Sequence, residues 1–175
     1  MVKEIKMDLP YPDFSTLTED IRSVSIISPA YAGLYSELTA ILQYGFHAHY
    51  FEKYKMDETA DILIGISLAE MHHFDILGAL ILQLGVKPIY TTTLPRAYAF
   101  FNTSTIAYST TPEKMLLDDI NGELNAIADY EKMIKELTNE KVAAVISRIV
   151  LDEKLHVTVL KEQLNKLMTE KKSVT

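Results

Sequence analysis

The feature that most constrains this chain is an internal repeat. Glu37-Leu38-Thr39-Ala40-Ile41 returns as Glu123-Leu124-Asn125-Ala126-Ile127, an offset of 86 residues, and Tyr44 returns at the same offset as Tyr130. Leu68, Glu70, His73 and Leu77 return as Leu151, Glu153, His156 and Leu160, at an offset of 83. The register changes between the paired segments, in a connection where length changes are tolerated. Each half therefore supplies one glutamate and, further on, a Glu-x-x-His. In a helix, residues three apart share a face, so Glu70 with His73, and Glu153 with His156, point at one place.

Apolar residues at three-and-four spacing, as at Leu34, Leu38, Ile41 and Leu42, predict four long helices. The first is expected to open at Ser28-Pro29, a capping serine followed by proline at the first helical position, and to run to about Tyr54. The second starts near Asp57 and ends at Gly85, with Pro88 just beyond. Thr111-Pro112 repeats the cap-and-proline device for a third, running to about Leu137, and the fourth occupies roughly Asn139 to Thr169. The first and third connections are short, so each helix pair is an antiparallel hairpin. Residues 86–111 have two prolines, many threonines, several aromatics and no helical period. A connection of that length crosses a bundle from end to end. The expectation is an all-α four-helix bundle over 28–170, made of two antiparallel hairpins and one long crossover. Residues 1–27 are an N-terminal extension in which Thr16 to Ser25 are read as a short packing helix.

Composition bounds the partners. A chain of 175 residues is long enough for one substantial core. A net charge of −7 argues against nucleic acid or an anionic membrane as partner. With no cysteine there are no disulfides, no thiolate-bound zinc, no iron–sulfur cluster and no thiol nucleophile. The opening MVKEIKMDLPYP lacks the apolar stretch of a signal peptide, and the apolar run Ile76 to Leu84 is interrupted by Gly78 and Gln83. The expectation is a cytoplasmic protein with no membrane partner.

Four glutamates and two histidines form the donor set of a dimetal carboxylate site in a bundle core. Carboxylate oxygen and imidazole nitrogen suit iron or manganese, and a carboxylate can bridge two such ions. Burying four carboxylates without cations would be very costly, and two ions offset that charge. The expected cofactor is two Mn or Fe ions per chain.

Glu37, Glu70-x-x-His73, Glu123 and Glu153-x-x-His156 resemble the ligand pattern of the ferritin-like dimetal superfamily. Ser36-Glu37-Leu38-Thr39-Ala40-Ile41-Leu42-Gln43-Tyr44 and Leu68-Ala69-Glu70-Met71-His72-His73-Phe74 resemble its manganese-catalase-like and spore-coat catalase-related branch, with rubrerythrins close by. The resemblance covers about residues 28–168. It implies a ferritin-like bundle in which Glu37 and His73 terminate one metal and Glu123 and His156 the other. Glu70 and Glu153 lie between the metals. Tyr44 and Tyr130, two turns after the first-helix glutamates, stand behind the ligands as donors to carboxylates. Glu70, Glu153, Tyr44 and Tyr130 are the residues assigned to catalysis.

Asp152 is read as an acceptor that orients the His73 imidazole across the bundle; its counterpart in the repeat is Ala69. His72 faces away from His73 and is assigned to packing or the surface. His47 and His49 are assigned to the surface near the end of the first helix. Tyr90, Tyr98, Phe100, Phe101 and Tyr108 are expected to cover the bundle or make a subunit contact, consistent with a homo-oligomer. Peroxidase rubrerythrins carry a further glutamate one turn after the third-helix ligand, where this chain has Ala126. Catalase chemistry needs no external electron donor. The resemblance and these departures lead to a dimetal oxidoreductase that disproportionates hydrogen peroxide. Iron(II) oxidation or peroxidase activity of the rubrerythrin–ferritin type is the alternative, with peroxide or oxygen as small-molecule substrate. A structural metal-binding coat or assembly protein is the third reading.

Overall fold

A computed structural model describes residues 2–91 and 100–173. The described residues form α1 (Ile21–Ala32), α2 (Glu37–Lys53), α3 (Asp57–Gln83), a 3-10 turn at Thr103–Thr105, α4 (Pro112–Glu136) and α5 (Glu140–Ser173), with no strand among them. Helices α2 with α3 and α4 with α5 are the two hairpins, and the crossover returns through the 3-10 turn. Tyr98 lies outside the described residues.

The bundle forms as expected, but its first helix does not begin at Ser28-Pro29. Asp20 is the true cap: its carboxylate accepts from the Ser23 amide at 3.0 Å and from the Ser23 hydroxyl at 2.6 Å. Pro29 lies inside α1, which stops at Ala32. Gly33 and Ser36 are extended, and α2 starts afresh with Glu37 as its first residue. The expected helix is thus two, and residue 28 falls inside α1. The other boundaries fall close to their predicted places. Pro112 opens α4, Leu137 caps its end, and Asn139 accepts from the Val142 amide at the start of α5. Gly85 ends the α3 connection with φ +89, in the left-handed region that glycine adopts without strain.

The break reassigns the apolar pattern. Leu34 falls between helices and Leu42 is 43% exposed, whereas the buried face of α2 carries Glu37, Thr39, Tyr44, His47, Ala48 and Phe51. The ligand helix turns its polar residues inward. Two apolar layers flank them. One joins Val24, Ile27, Leu77, Leu80, Ile146 and Ile149; the other joins Phe51, Leu63, Ile66, Met115, Leu116 and Leu160. Helix α3 is long and apolar enough to cross a membrane by length and composition. Yet Glu70 and His73 lie mid-helix and buried, and its apolar face joins both layers, as suits the central helix of a bundle.

Residues 2–20 contain no helix. They run along α3 and α5, bonded to both. The Ile5 amide donates to Gly65 O at 3.0 Å, and Arg148 donates to Met7 O at 2.8 Å and Leu9 O at 2.9 Å.

Candidate metal centre

All six predicted ligands converge between the apolar layers, each 5% exposed or less. Their ligand atoms form two overlapping sets, each within 4.8 Å: Glu37, Glu70, His73 and Glu153, then Glu70, Glu123, Glu153 and His156. Glu70 and Glu153 belong to both sets. Both imidazoles turn Nδ1 inward. His73 Nδ1 lies 3.0 Å from Glu70 Oε2, 3.3 Å from Glu153 Oε1 and 3.9 Å from Glu37 Oε2. His156 Nδ1 lies 3.0 Å from Glu70 Oε1, 3.1 Å from Glu153 Oε2 and 3.6 Å from Glu123 Oε1.

The donor set fits a pair of cations on a specific observation. Glu70 Oε1 and Glu153 Oε1 are buried and accept no hydrogen bond, although an imidazole lies near each. A buried carboxylate oxygen without a donor is expensive, and these are the two carboxylates common to both sets. The outer nitrogens settle the tautomers. His73 Nε2–H donates to Asp152 Oδ2 at 3.1 Å, and His156 Nε2–H donates to Ile5 O at 2.8 Å. A carbonyl only accepts, so the proton on His156 sits on Nε2, and neutral imidazole then offers its Nδ1 lone pair to a metal.

The electrostatics match a cage awaiting positive charge. Burial, then repulsion from Glu70 and Glu153, raises Glu37 and Glu123 well above the usual carboxylate range. Burial also pushes Glu70 and Glu153 upward, but the imidazoles outweigh it and hold both below their ordinary value. Burial works against charge on His73 and His156. The surrounding carboxylates overcome it, with Glu153 foremost for His73 and Glu70 for His156, and both sit well above the usual histidine range.

The tyrosines act across the repeat. Tyr44 donates to Glu123 Oε1 and Tyr130 to Glu37 Oε1, so each braces the terminal glutamate of the other half. Burial and the adjacent carboxylates raise both phenols well above their ordinary value, keeping them donors. Asp152 lies where it was expected, on His73. It also accepts from the Met7 amide at 2.7 Å and the Tyr11 hydroxyl at 2.6 Å, and pairs with Arg148 at 2.8 Å. Burial opposes its charge, but these partners hold it well below the usual carboxylate range.

His72 stands apart from the centre, 2.9 Å from Glu4, and His49 is exposed. His47 is a correction. It is fully buried, with Nδ1 2.8 Å from Asp119 Oδ1 and Nε2–H donating to Ala107 O at 2.8 Å. Gln43 donates to Asp119 at 2.9 Å and accepts from the Ala107 amide at 2.8 Å. The cluster fastens the returning crossover to α2 and α4. The placement of His47 ten residues after Glu37, near a helix end, carried no sign of it, because the partner carbonyl comes from a segment without period. Tyr90, Phe100 and Tyr108 are 68%, 49% and 51% exposed.

A cavity of about 460 Å³ opens between α2 and α4 and ends on Glu70 and Glu153. Part of its wall comes from positions related by the repeat, Ser36 with Gly122, Thr39 with Asn125, Ala40 with Ala126 and Gln43 with Asp129, and part from Pro29, Thr105, Ala107 and Met133, which have no such counterpart in it. Ser36 Oγ, buried in this wall, has no hydrogen-bond partner. Asp118, Asp119 and Asp129 make one side acidic.

The family model of the ferritin-like domain matches residues 32–169. No curated protein sequence matches the chain. Among solved structures, a bacterioferritin of Rhodobacter capsulatus, described with a dinuclear site and haem iron, is 25% identical over 85% of this chain and 87% of its own, with a TM-score of 0.71. The bacterioferritin BfrA of Mycobacterium tuberculosis is 24% identical over 88% of this chain and 90% of its own, with a TM-score of 0.72. A manganese catalase of Anabaena is 19% identical over 92% of this chain and 79% of its own, with a TM-score of 0.79. At their identities the last two show likeness of fold.

Proposed function

Since this chain belongs to the ferritin-like domain family, we propose that it is a dimetal oxidoreductase acting on hydrogen peroxide, two molecules giving two of water and one of oxygen. The observation that carries the reading is the cavity ending on the two carboxylates shared by both ligand sets. A small oxidant would approach Glu70 and Glu153 through this cavity. A pair of Mn or Fe ions held there would supply the two-electron redox cycling and the polarisation of peroxide.

The residues of the chain do the rest. Glu37 with His73, and Glu123 with His156, would hold one ion each, with Glu70 and Glu153 between them. Tyr44 and Tyr130 keep the terminal carboxylates aimed by donating to one oxygen of each. Glu70 and Glu153, the carboxylates common to both ligand sets and lining the cavity, would take and return the peroxide protons. Ala40 and Ala126 leave open the space in which the substrate sits.

A second reading is iron(II) oxidation, favoured by the exposed Asp129 on the cavity wall, which would draw in a cation. Oxygen evolution when peroxide meets the manganese-loaded protein supports the first reading. Stoichiometric iron(II) oxidation without oxygen release supports the second. Inertness to both, with two ions bound, leaves a structural metal-binding role. Self-association into a homo-oligomer and a cytoplasmic setting belong to the same proposal.

A further inference from the structure

On the side where the cavity opens, the centre has matched pairs in Glu37 with Glu123 and Tyr44 with Tyr130; behind the imidazoles it does not. Behind His73 stands Asp152, a charged side chain of α5. Behind His156, where the repeat places Ala69, no side chain of the bundle takes the proton, and the acceptor is the backbone carbonyl of Ile5. That carbonyl is set by a second feature. Gly65, in the interior of α3, receives the N-terminal segment so closely that a Cβ there would lie 2.7 Å from Lys3 O and 2.9 Å from Ile5 Cγ1. Glycine is a poor choice inside a helix unless another backbone must approach. Here one does: Ile5 N–H bonds Gly65 O on one side while Ile5 O takes the His156 proton on the other.

We propose that residues 2–6 are a working part of the metal centre: the tip of a strap that fixes His156 through the Ile5 carbonyl, makes the two ion positions unequal, and governs retention of the ion on the His156 side, while residues 7–11 secure Asp152 and Arg148 on the other. The inference rests on the dimetal reading and extends it. The partner of the outer imidazole nitrogen sets both the orientation of a ligating histidine and its strength as a donor. On the His73 side that partner is a carboxylate fixed by Arg148, and it remains in place if the strap's tip lifts. On the His156 side it leaves with the strap. A merely protective cover would not need a carbonyl aimed at a ligand, and its loss would touch both positions alike.

The test is Mn(II) titration of the full chain, with free ion counted by electron paramagnetic resonance. The wild type should bind two ions. In Gly65→Ala, and in a chain lacking residues 2–6 that keeps Met7 and Tyr11 for Asp152, one ion should keep its affinity while the other binds about 10- to 100-fold more weakly. Equal weakening of both ions, or no weakening, in variants whose circular dichroism is native overturns the proposal. A wild type that binds no ion overturns the dimetal reading as well, which separates the two failures. The wild type alone provides a check independent of any variant's folding. Because coupling is reciprocal, the second ion should slow tryptic cleavage after Lys3 and Lys6; a cleavage rate indifferent to Mn(II) overturns the strap.

Discussion

At the scale of single residues, the centre stores protons where it expects metal. Glu37, Glu123, His73 and His156 are raised and Glu70 and Glu153 lowered, so without metal the centre favours protons on its terminal carboxyls and imidazoles. Ligation requires the raised groups to give up their protons. Mn(II) binding should therefore release protons and tighten as pH rises. Calorimetry in buffers of different ionisation enthalpy reads both, and a binding heat independent of buffer would contradict the arrangement. Glu70→Ala and Glu153→Ala each remove a carboxylate shared by both ions and should abolish tight two-ion binding in metal analysis. The residues of this scale were legible because ligands repeat in sequence as they do in space. His47 and Ile5 were not: one depends on a carbonyl of the crossover, the other serves through its backbone, and neither leaves a pattern in side-chain identity.

Elements are where expectation and structure part most clearly. Ser28-Pro29 has the form of a helix start, and proline at a first helical position looks the same in sequence as proline near a helix end. What decides is upstream. Asp20 with Ser23 closes a cap, and α1 is already under way when it reaches Pro29. The Thr111-Pro112 start has no such competitor and α4 opens there, although the Thr111 side chain makes no capping hydrogen bond. Asp20→Ala should cost about 1 kcal/mol, measurable as a lowered thermal midpoint. The hydrogen bonds from Ser23 hold the Asp20 carboxyl below its ordinary value. The sign follows: its contribution is complete above the unfolded carboxylate pKa and fades as pH falls through the lower folded one. The difference between wild type and Asp20→Ala should thus shrink in acid. A gap unchanged down to the acid limb would speak against the cap. The start of α2 at Glu37 also puts a ligand carboxylate in a first helical turn, where the helix dipole favours its charge.

On the scale of the whole molecule, a polar layer separates two apolar ones, and the layers are bound to each other through the ligands. Leu77→Ala, in a fully buried position, should cost about 2–5 kcal/mol by denaturant titration. Metal should act in the opposite direction. A site held at a thousandfold excess over Kd adds about 4 kcal/mol, so a chelator should lower the melting temperature steeply in the wild type and hardly at all in Glu70→Ala. The four-helix arrangement was open to the sequence because hairpin lengths and the long crossover limit the ways such helices can pack. The strap's course was not, since residues 2–20 have no period and their partners lie at the far end of the chain. The contrast between a paired front and an unpaired back has a bearing on how such a protein can change over generations. In the cavity wall the repeat-related positions have already diverged, as Ser36 and Gly122, Thr39 and Asn125, and Gln43 and Asp129 show, while the glutamates and the tyrosines behind them are identical in the two halves. Behind the imidazoles the two halves differ outright, so exchanges in the terminal segment beside His156 can change the setting of one imidazole without altering the residues that line the cavity.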